Sequence, residues 1–221
     1  MRDLYNDQLD KIVTDMVAMT TTVRAAVEQA TVALLDADAD AAEAVIAGDK
    51  NVDDARESVE AVSFELLATQ QPVAGDLRML VATLRIVADL ERMGDLAVHV
   101  AKIARMRMPD KAVPPALRPT IANMAETAAR MVDETARIIA DRDVDAAVAL
   151  EAEDEEMDRL RRSMFRILLD EDWAHGVEPA IDLALLGRYY ERIADHAVSM
   201  ARRVIYLVTG EHPPPMEAQP L

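Results

Sequence analysis

The stretch Glu91-Arg92-Met93-Gly94-Asp95 returns 100 positions later as Glu191-Arg192-Ile193-Ala194-Asp195, and upstream of it Asp40-Ala41-Ala42 returns as Asp145-Ala146-Ala147. Two echoes in the same order mean that the second half of the chain repeats the first. Around Glu91, positions 77, 84, 91 and 98 read Leu, Leu, Glu and Val, one heptad apart; positions 177, 184, 191 and 198 read Val, Ala, Glu and Val. Heptad spacing keeps residues on one face of a helix, the face that ordinarily forms its seam. Both copies therefore set a carboxylate where a Leu belongs.

Outward from this stretch, prolines at 109, 114, 115 and 119 separate the two copies, and Pro213 to Pro215 mark a tail. Apolar residues recur with helical period between these breaks, which predicts helices over 3–36, 39–69 and 77–107, then 116–141, 144–170 and 178–208. The expected fold is all-α: two tandem three-helix bundles from an internal duplication. The first repeat spans 1–108, a proline-rich linker 109–119, the second repeat 116–210 (overlapping the linker at its start), and a flexible tail 211–221. Helices this long pack economically only with near-parallel axes. Composition agrees, since 51% of the 221 residues are hydrophobic but only 3% aromatic, with 6 Gly, a balance that favours helices over strands.

Forty-one acidic residues against 24 basic ones give a net charge of −17. The average surface repels nucleic-acid backbones and anionic lipid headgroups, which argues against either as a partner. No cysteine is present, so disulfides and thiolate metal sites are excluded. No segment approaches the roughly 18 apolar residues that span a bilayer, and the first residues do not resemble a leader. The expected location is cytoplasmic, with any membrane association made indirectly through protein partners.

Acids at i and i+4 project from one helical face about a turn apart and can share one cation. Four such pairs occur: Asp49 with Asp53, Glu91 with Asp95, Asp154 with Asp158, and Glu191 with Asp195. If the second and third helices of each half pack side by side, each half gathers four carboxylates, and burial of such a group calls for a counter-charge. All-oxygen donors suit hard ions, namely iron, Mg, Mn or Ca. His99, a turn beyond Asp95, offers a nitrogen donor in the first half only, because its counterpart is Ser199. The competing reading pairs these acids with arginines such as Arg56, Arg92 and Arg192; recurrence at matching places in both halves favours the cation.

Within Gln71-Pro72-Val73-Ala74-Gly75-Asp76-Leu77-Arg78, Asp76 is the expected cap of the third helix. Alternatively, Asp76 and Arg78 touch a partner at the end of the bundle. Of Tyr189 and Tyr190, one is expected buried and one exposed, and Trp173 is assigned to packing. His175, His196 and His212 lack ligand spacing, no Glu-x-x-His or phosphate-cradling loop occurs, and no nucleophile pattern stands out, so no catalytic residue is assigned.

The stretches Pro72-Val73-Ala74-Gly75-Asp76-Leu77-Arg78, Asp89-Leu90-Glu91-Arg92-Met93-Gly94-Asp95-Leu96-Ala97-Val98-His99 and Tyr190-Glu191-Arg192-Ile193-Ala194-Asp195-His196-Ala197 closely resemble the PhoU family, over about residues 5 to 208. The resemblance implies two three-helix bundles and makes the four acid pairs the family's metal-binding motifs, able to hold multinuclear clusters. It also implies a non-enzymatic negative regulator of phosphate uptake and of the phosphate-starvation two-component response, contacting the ATPase of the phosphate ABC transporter and the sensor histidine kinase. Two departures stand out: His99 where the family often has Asn, and Tyr189 opposite the acid at Asp89, which leaves the second site poorer in ligands. The alternative function is a carboxylate-bridged metalloenzyme, a hydrolase or oxidase. Apolar faces on long bundles lead us to expect a homodimer.

Overall fold

The computed structural model describes residues 2–211; the last ten residues of the expected tail lie outside them. Six helices follow one another: α1 Arg2–Asp36, α2 Ala39–Gln70, α3 Ala74–Arg107, α4 Arg118–Asp141, α5 Val144–Leu168 and α6 Val177–Thr209. A single 3-10 turn, Pro115–Leu117, leads into α4, and the described residues contain no strand.

The duplication is legible down to its turns. Between α1 and α2 the chain reverses through Ala37 at φ 57, after which the Asp38 carboxylate accepts from the Ala41 N–H at 3.0 Å. Between α4 and α5 it reverses through Arg142 at φ 52, and Asp143 accepts from the Ala146 N–H at 3.0 Å. Each aspartate satisfies one of the orphan donors of a helix start. The α2–α3 turn departs from expectation. α3 begins at Ala74 with Val73 as an extended N-cap that offers no side-chain bond, so Asp76 is not the cap. It sits inside the first turn instead, where a carboxylate favours the positive end of the helix dipole. Arg78 also has an internal role, its Nε donating to the Leu207 carbonyl at 3.4 Å near the end of α6.

In α2 the buried apolar residues include Val45, Val52, Val59 and Leu66; in α5 they include Leu150, Met157 and Met164. Both are single heptad stripes, the mark of a helix with one partnered face. α3 and α6 are buried far more widely, because each packs against helices on both sides. α2 lies on α1 and α3, α5 lies on α4 and α6, and the halves join where α1 meets α4 and α3 meets α6. Four inner helices thus carry one continuous apolar core, from Ile12, Met19 and Leu34 through Leu80, Ile86 and Leu90 to Met124, Ile138, Leu183 and Ile193. α2 and α5 clasp it from outside.

Candidate functional site

Val52, in the buried stripe of α2, is flanked by Asp49 and Asp53. Across from it stands Gly94, where a Cβ would come within 3.3 Å of Val52 Cγ1. The missing side chain lets α2 and α3 approach closely, which brings Asp49 and Asp53 beside Glu91 and Asp95. Burial, then the Asp95 and Asp53 charges, push the Asp49 carboxyl above the usual range, against Lys102 and His99. Glu91 is raised by burial and then Asp95, opposed by Arg56 and Arg92. The His99 imidazole is lowered by burial and then Lys102, opposed by Asp95 and Asp49. The four acids of the first half are therefore brought together as expected, with His99 at their edge.

The second half repeats the arrangement with Met157 and Ala194 in place of Val52 and Gly94. Asp154 is pushed up to about 6 by burial and then by Asp195, Asp158 and Glu191. Asp195 is raised by burial and then Glu191, opposed by Arg188 and His196. Here guanidinium groups answer the charge. Glu191 is buried; it meets Arg161 Nε at 3.3 Å and Arg188 Nη1 at 2.5 Å. Arg188 also stands 3.9 Å from Asp195, and Arg162 lies 3.7 Å from Asp158.

Arg161 and Arg188 were not foreseen, whereas Arg192 is exposed and pairs with no acid among the described residues. One signal was available: Arg56 and Arg161 each follow the second acid of their pair by three residues. Arg188 had none, since its counterpart is Ala88. No guanidinium among the described residues is ion-paired with the acids of the first cluster, on which Arg56, Arg92 and Lys102 act at longer range. Among the described residues no three carboxylate or imidazole groups converge as ligands of one ion. The donors that crowd and raise one another are hard oxygens, whose repulsion a hard cation would relieve, more so in the first cluster, where no guanidinium among the described residues is ion-paired with the acids.

Asp89 does not join the first cluster. It is buried in the seam between α3 and α6, where Oδ1 stands 3.0 Å from His196 Nδ1 and Oδ2 accepts from Arg203 at 2.9 and 2.8 Å. Its replacement by Tyr189 in the second half therefore removes no donor from the acid cluster there. Along the same seam Arg107 engages the buried Asp182 through Nε at 2.6 Å and Nη2 at 3.1 Å, and also bonds Glu178. His99 packs edge-on against the half-buried Tyr189, ring centroids 5.4 Å apart. Tyr190, fully buried, shares a hydrogen bond of 2.9 Å with Thr31 of α1.

The PhoU domain family model matches residues 16–104 and again 121–204. Two Mycobacterium tuberculosis proteins, described as phosphate-specific transport system accessory protein PhoU homolog 1 and homolog 2, are 42% and 43% identical to this chain over 213 residues. Each alignment covers 96% of this chain, with 96% and 100% of the relatives. The crystal structure of PhoU from Pseudomonas aeruginosa aligns with a TM-score of 0.87 at 29% identity, over 94% of this chain and all of that one. A domain matched twice along the chain, full-length relatives and a shared six-helix architecture lead to one conclusion: the chain belongs to the PhoU family.

Proposed function

We propose that the chain is an accessory regulator of phosphate-specific transport, acting by contact rather than by turnover, as an adaptor between the ATPase of the phosphate transporter and the sensor histidine kinase. The observation that carries this reading is the 42% identity, over nearly the full length, to a protein described as an accessory of that transport system. Among the described residues no helix is long and apolar enough to cross a membrane, which suits a protein that reaches a transporter through its partners. Deleting the gene should leave the phosphate-starvation response switched on in high phosphate, and the ATPase and the kinase should each co-purify with the tagged chain. Normal repression in a deletion strain that has no second copy would sink the proposal.

The carboxylate clusters are proposed to hold hard cations, with Asp49, Asp53, Glu91 and Asp95 in one half and Asp154, Asp158, Glu191 and Asp195 in the other. Chelator-free protein analysed for bound iron, Mn, Mg and Ca, beside a variant with Glu91 and Asp95 changed to Gln and Asn, tests this. Identical metal content in both proteins would refute it for the first cluster. Dimerisation is part of the same proposal, and light scattering on the purified chain decides it.

A further inference from the structure

Glu191 and Asp195 stand a turn apart on α6, and Arg188 precedes them on the same face, three and seven residues away. Its Nη1 donates to Glu191 Oε2 at 2.5 Å and lies 3.9 Å from Asp195 Oδ2, so one nitrogen faces both carboxylates. The other oxygen of Glu191 faces Arg161 Nε at 3.3 Å, without the alignment of a hydrogen bond. Glu191 is thus shared between two guanidinium groups of unequal freedom. The Arg161 side chain is 18% exposed and lies over the Phe165 ring, 5.8 Å from its centroid, whereas that of Arg188 is 50% exposed.

The first half supplies the comparison. Glu91 and Asp95 hold the matching positions on α3, but the counterpart of Arg188 is Ala88, and no guanidinium among the described residues is ion-paired with either acid. A hard ion held by both Glu191 and Asp195 comes within about 2.0–2.6 Å of their oxygens. Arg188 Nη1 is already that near to Glu191 Oε2, and two positive charges on one oxygen repel strongly. One of them has to leave. Arg188 is the group that can, because its half-exposed side chain regains hydration by rotating outward and gives up one charge-assisted hydrogen bond. Arg161, largely covered, stays beside Glu191.

We propose that Arg188 is a built-in competitor for the cation of the second cluster: a hard divalent ion enters between Glu191 and Asp195 only as the Arg188 guanidinium swings out, so the two halves load in order, the first before the second. This rests on the reading of the clusters as cation sites. The full-length chain, freed of metal with chelator, is titrated with Mn, and the free ion is counted by its electron paramagnetic resonance signal. Wild type is expected to show two classes of site, of which the Glu91→Gln, Asp95→Asn variant keeps only the weaker. Arg188→Ala, which gives the second half the residue of the first, tightens the weaker class about tenfold and leaves the tighter class unchanged, which also reports that the fold is intact. Arg188→Lys, retaining a cation, stays near wild type. Arg192→Ala removes a charge from an exposed position that pairs with no acid among the described residues, and shifts the weaker class by less than about twofold. If Arg188→Ala matches wild type, or if Arg192→Ala tightens binding as much, the exchange is overturned while the cation reading stands. No Mn bound by wild type overturns the cation reading and the exchange with it.

Discussion

Replacing Asp89 by Asn keeps the shape of a buried side chain and removes its charge. The carboxylate is 3% exposed as a residue and faces His196 at 3.0 Å and Arg203 at 2.9 and 2.8 Å. Removing one partner of a buried ion pair costs 3–5 kcal/mol because the other charge is left uncompensated. Arg203 retains some contact with water, its side chain being 28% exposed, so the low end applies, about 3 kcal/mol. For a chain of this size that corresponds to a fall in Tm of about 6–12 °C. Urea denaturation followed by far-ultraviolet circular dichroism measures the loss. Lys11→Ala is the control: Lys11 pairs with Asp15 at 2.5 Å, but the side chains are 63% and 32% exposed, so the change should cost under about 0.5 kcal/mol. If Asp89→Asn proves no more costly than the control, the seam is not held by this carboxylate.

Other consequences can be checked alongside. Asp154 holds its proton up to about 6, above the unfolded value, so the folded chain binds the extra proton between about pH 4 and 6 and stability falls as pH rises through that window. Asp154→Asn should therefore stabilise the protein at pH 7 by on the order of 1 kcal/mol after discounting for partial exposure, with the gain vanishing near pH 4; a gain that persists in acid would contradict the assigned cause. Divalent Mn at 100 times its dissociation constant should add about 2.7 kcal/mol of stability, seen as a raised Tm, and a Glu91→Gln, Asp95→Asn double variant should lose most of that rise. Asp38→Ala and Asp143→Ala should each cost about 1 kcal/mol through loss of a helix cap. A marked inequality between them in urea melts would show that the two turns are not energetically equivalent.

The helices were legible because each presents a long periodic face, and the starts of α2 and α5 came out at 39 and 144 because an aspartate cap stands before each. α3 begins three residues earlier than its periodicity suggests, since the first turn is exposed and carries little of the apolar signal. The acid pairs were legible from repetition alone. Their counter-charges were only partly so: Arg161 repeats Arg56, but Arg188 is on the same helix as Glu191 and has no echo. The bonds from Asp89 to His196 and Arg203 join residues more than 100 positions apart, and nothing in local spacing announces them.

Contacts across the α3–α6 seam are strung along almost the entire length of α3, from Arg78 with Leu207, through Asp89 with Arg203 and His99 with Tyr189, to Arg107 with Asp182. An axial slip of one helical turn, about 5.4 Å, would part all of them together, and a smaller slip would break the paired guanidinium–carboxylate geometry at both Asp89 and Asp182. Sliding of one half along the other is therefore opposed at several points at once, as a key opposes slip in a shaft.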